Sequence, residues 1–204
     1  MKYYIIALLA IVAVACNSSQ KTTSKKQSSV EEYAATITSN ELKEMLYVYA
    51  GDDMRGRMTG SDGQKLAVKY LKDFYVAQGI KSPLGGDNYF QNVPASYLTR
   101  LEEPADSENV VAFIEGSEFP EQIIILSAHL DHVGVDDNGN VFNGADDDGS
   151  GTVAMLEMAE AFQKAVKEGK GPKRSILFLH VTGEEIGLFG SRYYTENPLF
   201  PLAN

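Results

Sequence analysis

The chain has 204 residues, of which 44% are apolar and 23% are charged, a composition typical of a globular domain with a sizeable core. A single cysteine excludes a disulfide framework and a cysteine-rich zinc finger. The formal net charge of −10 argues against nucleic acid as a partner, because phosphate binding needs a basic surface.

The first 15 residues have the pattern of a signal peptide. Residues 3–15 form an apolar run that is too short to span a bilayer core of about 30 Å as a helix. The run ends in Ala-Val-Ala before Cys16, which resembles a bacterial lipobox, whose cysteine is lipidated and becomes the mature N-terminus. Residues 16–29 are predicted to be a flexible tether, and residues 30–204 the folded part. We therefore expect an exported protein, lipid-anchored to a bacterial membrane, most simply the outer one, in a periplasmic or surface-facing orientation.

Helical periodicity follows in four places. The predicted helices cover residues 38–50, 61–78, 150–168 and a last stretch from about Glu185 to 196. Thr38 and Ser61 stand three residues before a Glu or Gln, which is the spacing of a capping box, and Gly79 can end the second helix. The apolar face of that second helix is predicted to hold Leu66, Tyr70, Leu71 and Phe74.

Strand patterns lie between these helices. Residues 109–114, 123–128 and 175–181 are apolar and β-branched, and residues 133–142 suggest a small hairpin. The alternation of strands and helices predicts an α/β fold with a mixed, largely parallel sheet flanked by helices. Ligands of such sheets bind at the carboxyl ends of strands.

Three polar segments fall at those predicted strand ends. They are His129-Leu130-Asp131, the run NGADDDGSG over residues 143–151, and GEEIG over residues 183–187. Residues 101–163 contain 15 Asp and Glu but no Lys or Arg, so a cationic metal is an obvious counter-charge for part of this acid. There are two plainer interpretations, namely a solvated acidic face and an N-capping role for Asp148 or Ser150.

Other site chemistries fit the sequence less well. The chain has no HExxH zinc motif, no GxSxG nucleophile elbow and no phosphate-binding P-loop. Asp136, Asn138 and Asn140 begin like an EF-hand, but Val141 occupies the position where the loop needs glycine.

The three polar segments together, with RGRMTGS over residues 55–61 upstream, resemble the co-catalytic zinc peptidases of the M28 type. The resemblance implies a zinc-exopeptidase fold from about residue 38 onward, two zinc ions and peptide substrates. It implies that His129, Asp147 and Glu185 are metal ligands, with Asp147 bridging the two ions. His132 and His180 match no ligand position of that pattern.

The same resemblance implies the remaining roles. Glu184 would take a proton from the attacking water and pass it to the leaving amine, Asp131 would orient His129, and the peptide bond between Asp147 and Asp148 would be cis. The pattern also needs an aspartate and a histidine after Glu185, and no histidine follows it in this sequence. We therefore expect the chain to be an N-terminal portion of the catalytic domain, with little or no activity alone.

Two other functions stay open at this level. One is a single-zinc glutaminyl cyclase on the same fold. The other is a binding lipoprotein without catalysis. The best interpretation is a lipid-anchored zinc exopeptidase, most simply an aminopeptidase.

Overall fold

The computed structural model describes residues 29–202, which form a four-stranded sheet between helices. The strands are β1 (Phe90–Val93), β2 (Ser107–Ile114), β3 (Phe119–His129) and β4 (Arg174–Val181). The helices are α1 (Ser29–Ala34), α2 (Ser39–Tyr49), α3 (Asp62–Gln78), α4 (Ser150–Lys167) and α5 (Phe189–Glu196). A 3₁₀ turn covers Asp52–Arg57. The predicted signal peptide, the tether up to residue 28 and the lipidation site Cys16 lie outside the described residues.

The strand order across the sheet is β1-β2-β4-β3. Of the three pairings in the described part of the chain, only the one between β3 and β4 is parallel; β1–β2 and β2–β4 are antiparallel. The predicted mixed α/β sheet is confirmed, but the prediction that it is largely parallel is wrong for the described residues, because two of the three pairings are antiparallel. The parallel pair is the one that carries the polar segments. Because β3 and β4 run in the same direction, their carboxyl ends meet at one edge of the sheet, with His129 opposite Val181.

Side-chain alternation along β2 and β4 builds one core on each face of the sheet. Val110 and Phe178 point to the face covered by α2, α3 and α4. Val111 and Leu179 point to the opposite face, where they pack with Tyr194 of α5. The sheet is therefore the middle layer of three, and its two central strands are buried on both faces.

The predicted ends of α2 and α3 are confirmed. The hydroxyl oxygens of Thr38 and Ser61 accept hydrogen bonds from the third residue on, and Gly79 closes α3 in the left-handed conformation at φ 73°. The predicted apolar face of α3 is wrong at Leu66, which is 44% exposed, because the helix buries Ala67, Val68, Leu71 and Tyr75 instead.

The remaining helix and strand predictions are mostly confirmed. The strand β1, the short helix α1 and the 3₁₀ turn were not predicted, since each is too short to show a period. The predicted hairpin is reduced to a single bridge between Val135 and Val141. Within residues 29–202, no helix combines the length and the apolar character needed to cross a membrane.

Candidate metal centre

The three polar segments meet at the carboxyl edge of β3 and β4. His129 is the last residue of β3, and the turn with Glu184 and Glu185 follows β4. The aspartate run lies in the loop that enters α4. The parallel pairing of the two strands therefore brings together side chains that are more than fifty residues apart in sequence.

Glu184 and Glu185 lie in a tight turn, and α5 starts only at Phe189. The predicted last helix is confirmed, but its predicted start near Glu185 is wrong. Gly183 and Gly187 adopt φ values of 65° and 126°, which favour glycine, and the Glu184 carbonyl accepts hydrogen bonds from the N–H groups of Gly187 and Leu188. Two glycines thus delay the helix and leave both carboxylates on a turn at the sheet edge.

His129 is surrounded by acids. Its Nε2 lies 2.8 Å from Asp147 Oδ1 and 3.8 Å from Glu184 Oε2, and its Nδ1 lies 3.0 Å from the main-chain oxygen of Asp131. Burial lowers the pKa of His129, but the charge and carbonyl of Asp131, together with Asp147 and Glu184, outweigh it and raise the pKa above its ordinary value. The surroundings of the ring therefore favour a positive charge.

Asp131 is fully buried, and its carboxylate contacts other groups than the prediction implies. Oδ2 accepts a hydrogen bond from the Thr59 hydroxyl at 2.7 Å, and Oδ1 accepts one from the Glu184 N–H at 3.2 Å. The carboxylate stays 3.8 Å from His129 Nδ1. The carbonyl of Asp131 thus positions His129, and its carboxylate positions the turn of Glu184. Burial raises the pKa of Asp131, against the hydrogen bonds from Thr59 and Glu184.

The three adjacent aspartates have three different surroundings. The carboxylate of Asp146 is exposed, whereas that of Asp147 approaches His129 with 67% of its side chain still accessible. Asp148 accepts hydrogen bonds from the N–H groups of His129 and Gly151, so it ties the end of β3 to the first turn of α4. The bond between Asp147 and Asp148 is cis, as the resemblance implied.

His132 also reaches the site. Its Nδ1 lies 2.5 Å from Glu185 Oε1. Sequence reasoning gave this residue no role, and its only signal was its position three residues after His129. The third histidine, His180, is buried in the core with Nε2 2.7 Å from the Tyr75 hydroxyl, so it is a structural residue.

Arg57 connects the loops of the site through hydrogen bonds from its buried guanidinium. It is fully buried, and its guanidinium donates hydrogen bonds of 2.8–3.2 Å to four main-chain carbonyls. These carbonyls belong to Tyr49, Leu130, Asn143 and Gly144. Leu130 stands between His129 and Asp131, and Gly144 leads into the aspartate run. Arg57 therefore fixes two site loops that lie 73 and 87 residues from it in sequence.

The donor atoms suit a zinc ion. His129, Glu184 and Glu185 form one group whose ligand atoms lie within 4.8 Å of one another, and His132, Asp147 and Glu185 form a second. Imidazole nitrogen and carboxylate oxygen are the ligands of catalytic zinc sites that lack cysteine. Every metal ligand that the sequence predicted is thus within this one cluster.

Part of the chain matches a known protein family. The profile of peptidase family M28 matches residues 109–204, a range that includes all of these ligands. The matched range is just under half of the chain, and this part is similar to peptidase family M28. The match begins in β2, so it covers the sheet edge and the three polar segments in order.

The chain is also similar to individual proteins, and the structural neighbours share its fold. A probable zinc metalloprotease of Leptosphaeria maculans is 27% identical over 173 residues, which is 82% of this chain and 38% of that protein. A Zn-dependent exopeptidase of Parabacteroides distasonis has a similar structure, with a TM-score of 0.63, 18% identity and coverage of 80% of this chain and 57% of that one. The glutaminyl cyclase of Fimbriiglobus ruber has a TM-score of 0.58 at 18% identity, with 78% and 54% covered. The chain thus spans less than two thirds of the length of each of these proteins.

Proposed function

We propose that this chain belongs to peptidase family M28, that it is part of a zinc-dependent exopeptidase, and that the enzyme is an aminopeptidase. The observation that carries the proposal is the convergence of two imidazoles and three carboxylates at one edge of the sheet. The zinc metalloprotease among the relatives supports the choice of metal. His129, Asp147 and Glu185 would hold the zinc, and we propose two ions that share Asp147. Zinc, when bound, polarises the scissile carbonyl and lowers the pKa of water.

Glu184 is the residue proposed to move the proton. Its main-chain N–H is held by the buried carboxylate of Asp131, while its own carboxylate stays partly exposed beside His129. A carboxylate at this place can accept a proton from the attacking water and deliver it to the leaving amine. Asp131 and Thr59 would keep the turn of Glu184 in place during both transfers.

The choice of an aminopeptidase rests on the family resemblance and not on the charge of the cleft. The segments that form the site bring Asp146, Asp147, Glu184 and Glu185 to its surface. Two zinc ions would offset the charge of four carboxylates. Arg100 also lies beside the two glutamates, where its guanidinium donates a hydrogen bond to the Ile186 carbonyl at 3.1 Å.

The substitution Glu184→Gln in the complete protein tests the proposal. Loss of the general base should lower turnover of an aminoacyl-anilide roughly 10²–10⁴-fold. Zinc content, measured by metal analysis, should stay at the wild-type value, whereas Glu185→Gln should lower it. Glu160→Gln, on an exposed part of α4, is the matched control and should keep full activity. Activity of the Glu184→Gln protein within threefold of wild type would refute the assignment, and preference for an N-blocked dipeptide would refute the aminopeptidase.

Glutaminyl cyclase is the second candidate, because the fold is shared with the cyclase of Fimbriiglobus ruber. A cyclase releases ammonia from a peptide with N-terminal glutamine and cleaves no peptide bond. Ammonia release without free amino acid, again abolished by Glu184→Gln, would replace the peptidase proposal.

The proposed location follows from the N-terminal sequence. We infer that the protein is exported and anchored by lipid at Cys16, since a small-residue motif precedes that cysteine after an apolar run. Cys16→Ser should move the protein from the membrane fraction to the soluble fraction. Mass spectrometry of the mature N-terminus checks the modification, and an unmodified Cys16 would contradict it.

A further inference from the structure

A buried asparagine lies beside the turn that carries Glu184 and Glu185. Side-chain alternation along β2 places Asn109 on the same face of the sheet as Val111, the face that packs against α5. Both side chains are fully buried. Packing alone would favour an apolar residue at both positions, since a buried amide is stable only when hydrogen bonds replace the water it loses. The contacts of Asn109 therefore have to explain why an amide stands there.

The amide of Asn109 bridges the two sides of the glutamate turn, which is defined here as residues 183–188. Its Oδ1 accepts a hydrogen bond from the N–H of Thr182 at 3.0 Å, directly after β4. Its Nδ2 donates to the carbonyl of Gly190, the second residue of α5, and to Gln91 Oε1, both at 2.9 Å. Because a main-chain N–H only donates and a carbonyl only accepts, these partners fix the orientation of the amide.

The same main-chain segments are bonded to each other and form the stem of the turn. The N–H of Gly190 donates to the carbonyl of Thr182 at 2.8 Å, and the N–H of Phe189 donates to the carbonyl of Gly183 at 2.9 Å. A Cβ atom at Gly190 would lie 2.2 Å from the Thr182 oxygen and 2.4 Å from Asn109 Oδ1, so the close approach requires glycine. The turn therefore leaves the sheet and returns to it through one closed, buried stem.

Both functional carboxylates lie on the turn that this stem closes. Glu184 stands two residues after Thr182, and its N–H donates to the buried carboxylate of Asp131. Glu185 is the next residue along the turn. Two buried polar side chains thus hold the turn from different strands, Asp131 after β3 and Asn109 in β2. A shift of the stem would move both glutamates relative to the end of β3.

We propose that Asn109 is a positioning residue for the metal site, because its amide fixes the stem of the turn that carries Glu184 and Glu185. This inference rests on the proposed zinc enzyme and adds to it a residue outside the three polar segments. Removal of a hydrogen bond that supports a metal ligand lowers metal affinity about 10–100-fold. We expect a loss of this size for Asn109→Leu, which replaces the amide by an apolar side chain of similar size.

The test compares Asn109→Leu with Val111→Ala in the complete protein. Val111 is buried on the same face of the same strand, so Val111→Ala weakens the core without removing a contact of the stem. Zinc affinity, measured by chelator competition, should fall about 10–100-fold in Asn109→Leu only. At saturating zinc, kcat for an aminoacyl-anilide should fall about 10–100-fold in that variant with KM within threefold, because Glu184 acts on the attacking water. Both constants should stay within threefold of wild type in Val111→Ala.

Hydrogen exchange of the metal-free proteins measures the stem directly. The N–H groups of Phe189 and Gly190 should exchange about tenfold faster in Asn109→Leu than in Val111→Ala, whereas those of β4 should exchange alike in the two. Urea unfolding shows that both variants are folded. Gly190→Ala forces the stem apart from the side of α5, so it should lower zinc affinity as Asn109→Leu does and decides the question if Asn109→Leu does not fold.

The outcomes separate this inference from the proposed function. If the wild type binds zinc and Asn109→Leu matches Val111→Ala within threefold in zinc affinity, kcat and exchange, Asn109 has no positioning role and the zinc enzyme stands. Unchanged zinc affinity in Gly190→Ala would overturn the role in the same way. A complete wild-type protein that binds no zinc would overturn the proposed function, and with it the role of Asn109.

Discussion

Replacing Arg57 by methionine should destabilise the fold and weaken the metal site together. Arg57 makes four hydrogen bonds to main-chain carbonyls, but their loss has unequal effects. The Leu130 carbonyl keeps the Tyr49 hydroxyl at 2.9 Å, and the Gly144 carbonyl keeps the Gly149 N–H at 3.1 Å. Within residues 29–202, and apart from the regular hydrogen bonds inside helices, no second group donates a hydrogen bond to the carbonyl of Tyr49 or of Asn143.

The two carbonyls left without a hydrogen-bond donor determine how much stability is lost. A buried polar group without a partner costs about 1–3 kcal/mol, so the loss is about 2–6 kcal/mol. Removal of a buried charge offsets part of this cost, and we expect about 2–4 kcal/mol. At about 3 °C per kcal/mol for a domain of this size, the Tm should fall by roughly 6–12 °C. Because Leu130 and Gly144 flank the metal ligands, zinc affinity should fall about 10–100-fold.

Arg55→Met is the matched control. Arg55 has nearly the same left-handed backbone, with φ 51° against 49° for Arg57, but its side chain is exposed and pairs with Asp62 at 3.5 Å. Such a surface pair contributes at most about 1 kcal/mol. Urea unfolding of the metal-free proteins and competition with a chromophoric zinc chelator measure the two effects. The reasoning fails if Arg57→Met is within 1 kcal/mol of Arg55→Met and binds zinc as wild type does.

Three further substitutions test single contacts. Thr59→Val removes the hydroxyl donor to the buried carboxylate of Asp131, so the free energy of unfolding should fall by about 1–3 kcal/mol; an unchanged urea midpoint would contradict that role. Gly144→Ala places a methyl group against His132, so zinc affinity measured by chelator competition should fall, and unchanged affinity would show that the ring moves freely. Burial lowers the pKa of His180 to about 3, while the unfolded chain has a histidine pKa of about 6.5. The free energy of unfolding should therefore fall as the pH is lowered from 6.5 towards 3, by up to about 1.4 kcal/mol per pH unit. Urea titrations across that range should show this slope in the wild type but not in His180→Phe. An equal slope in both proteins would show that the carboxylates cause it.

Local patterns in the sequence predict the helices and the site segments well. Thr38, Ser61 and Gly79 act within one turn of their own helix, so their cap positions need no tertiary information. The motifs with His129, Asp147 and the two glutamates were recognisable because each is a contiguous run of residues. The turn that delays α5 was missed because it depends on two glycine conformations that periodicity does not show.

The charge and the histidine count in the sequence indicate that a metal site must depend on carboxylates, and the order of the motifs indicates the peptidase family. Only the tertiary structure brings His132 next to Glu185, buries Arg57 under two site loops and aims the carboxylate of Asp131 at Thr59. These contacts join residues about 50 to 90 positions apart, at separations where sequence spacing carries no geometric information. The parallel pairing of β3 with β4 decides them, since it sets which strand ends meet at one edge of the sheet.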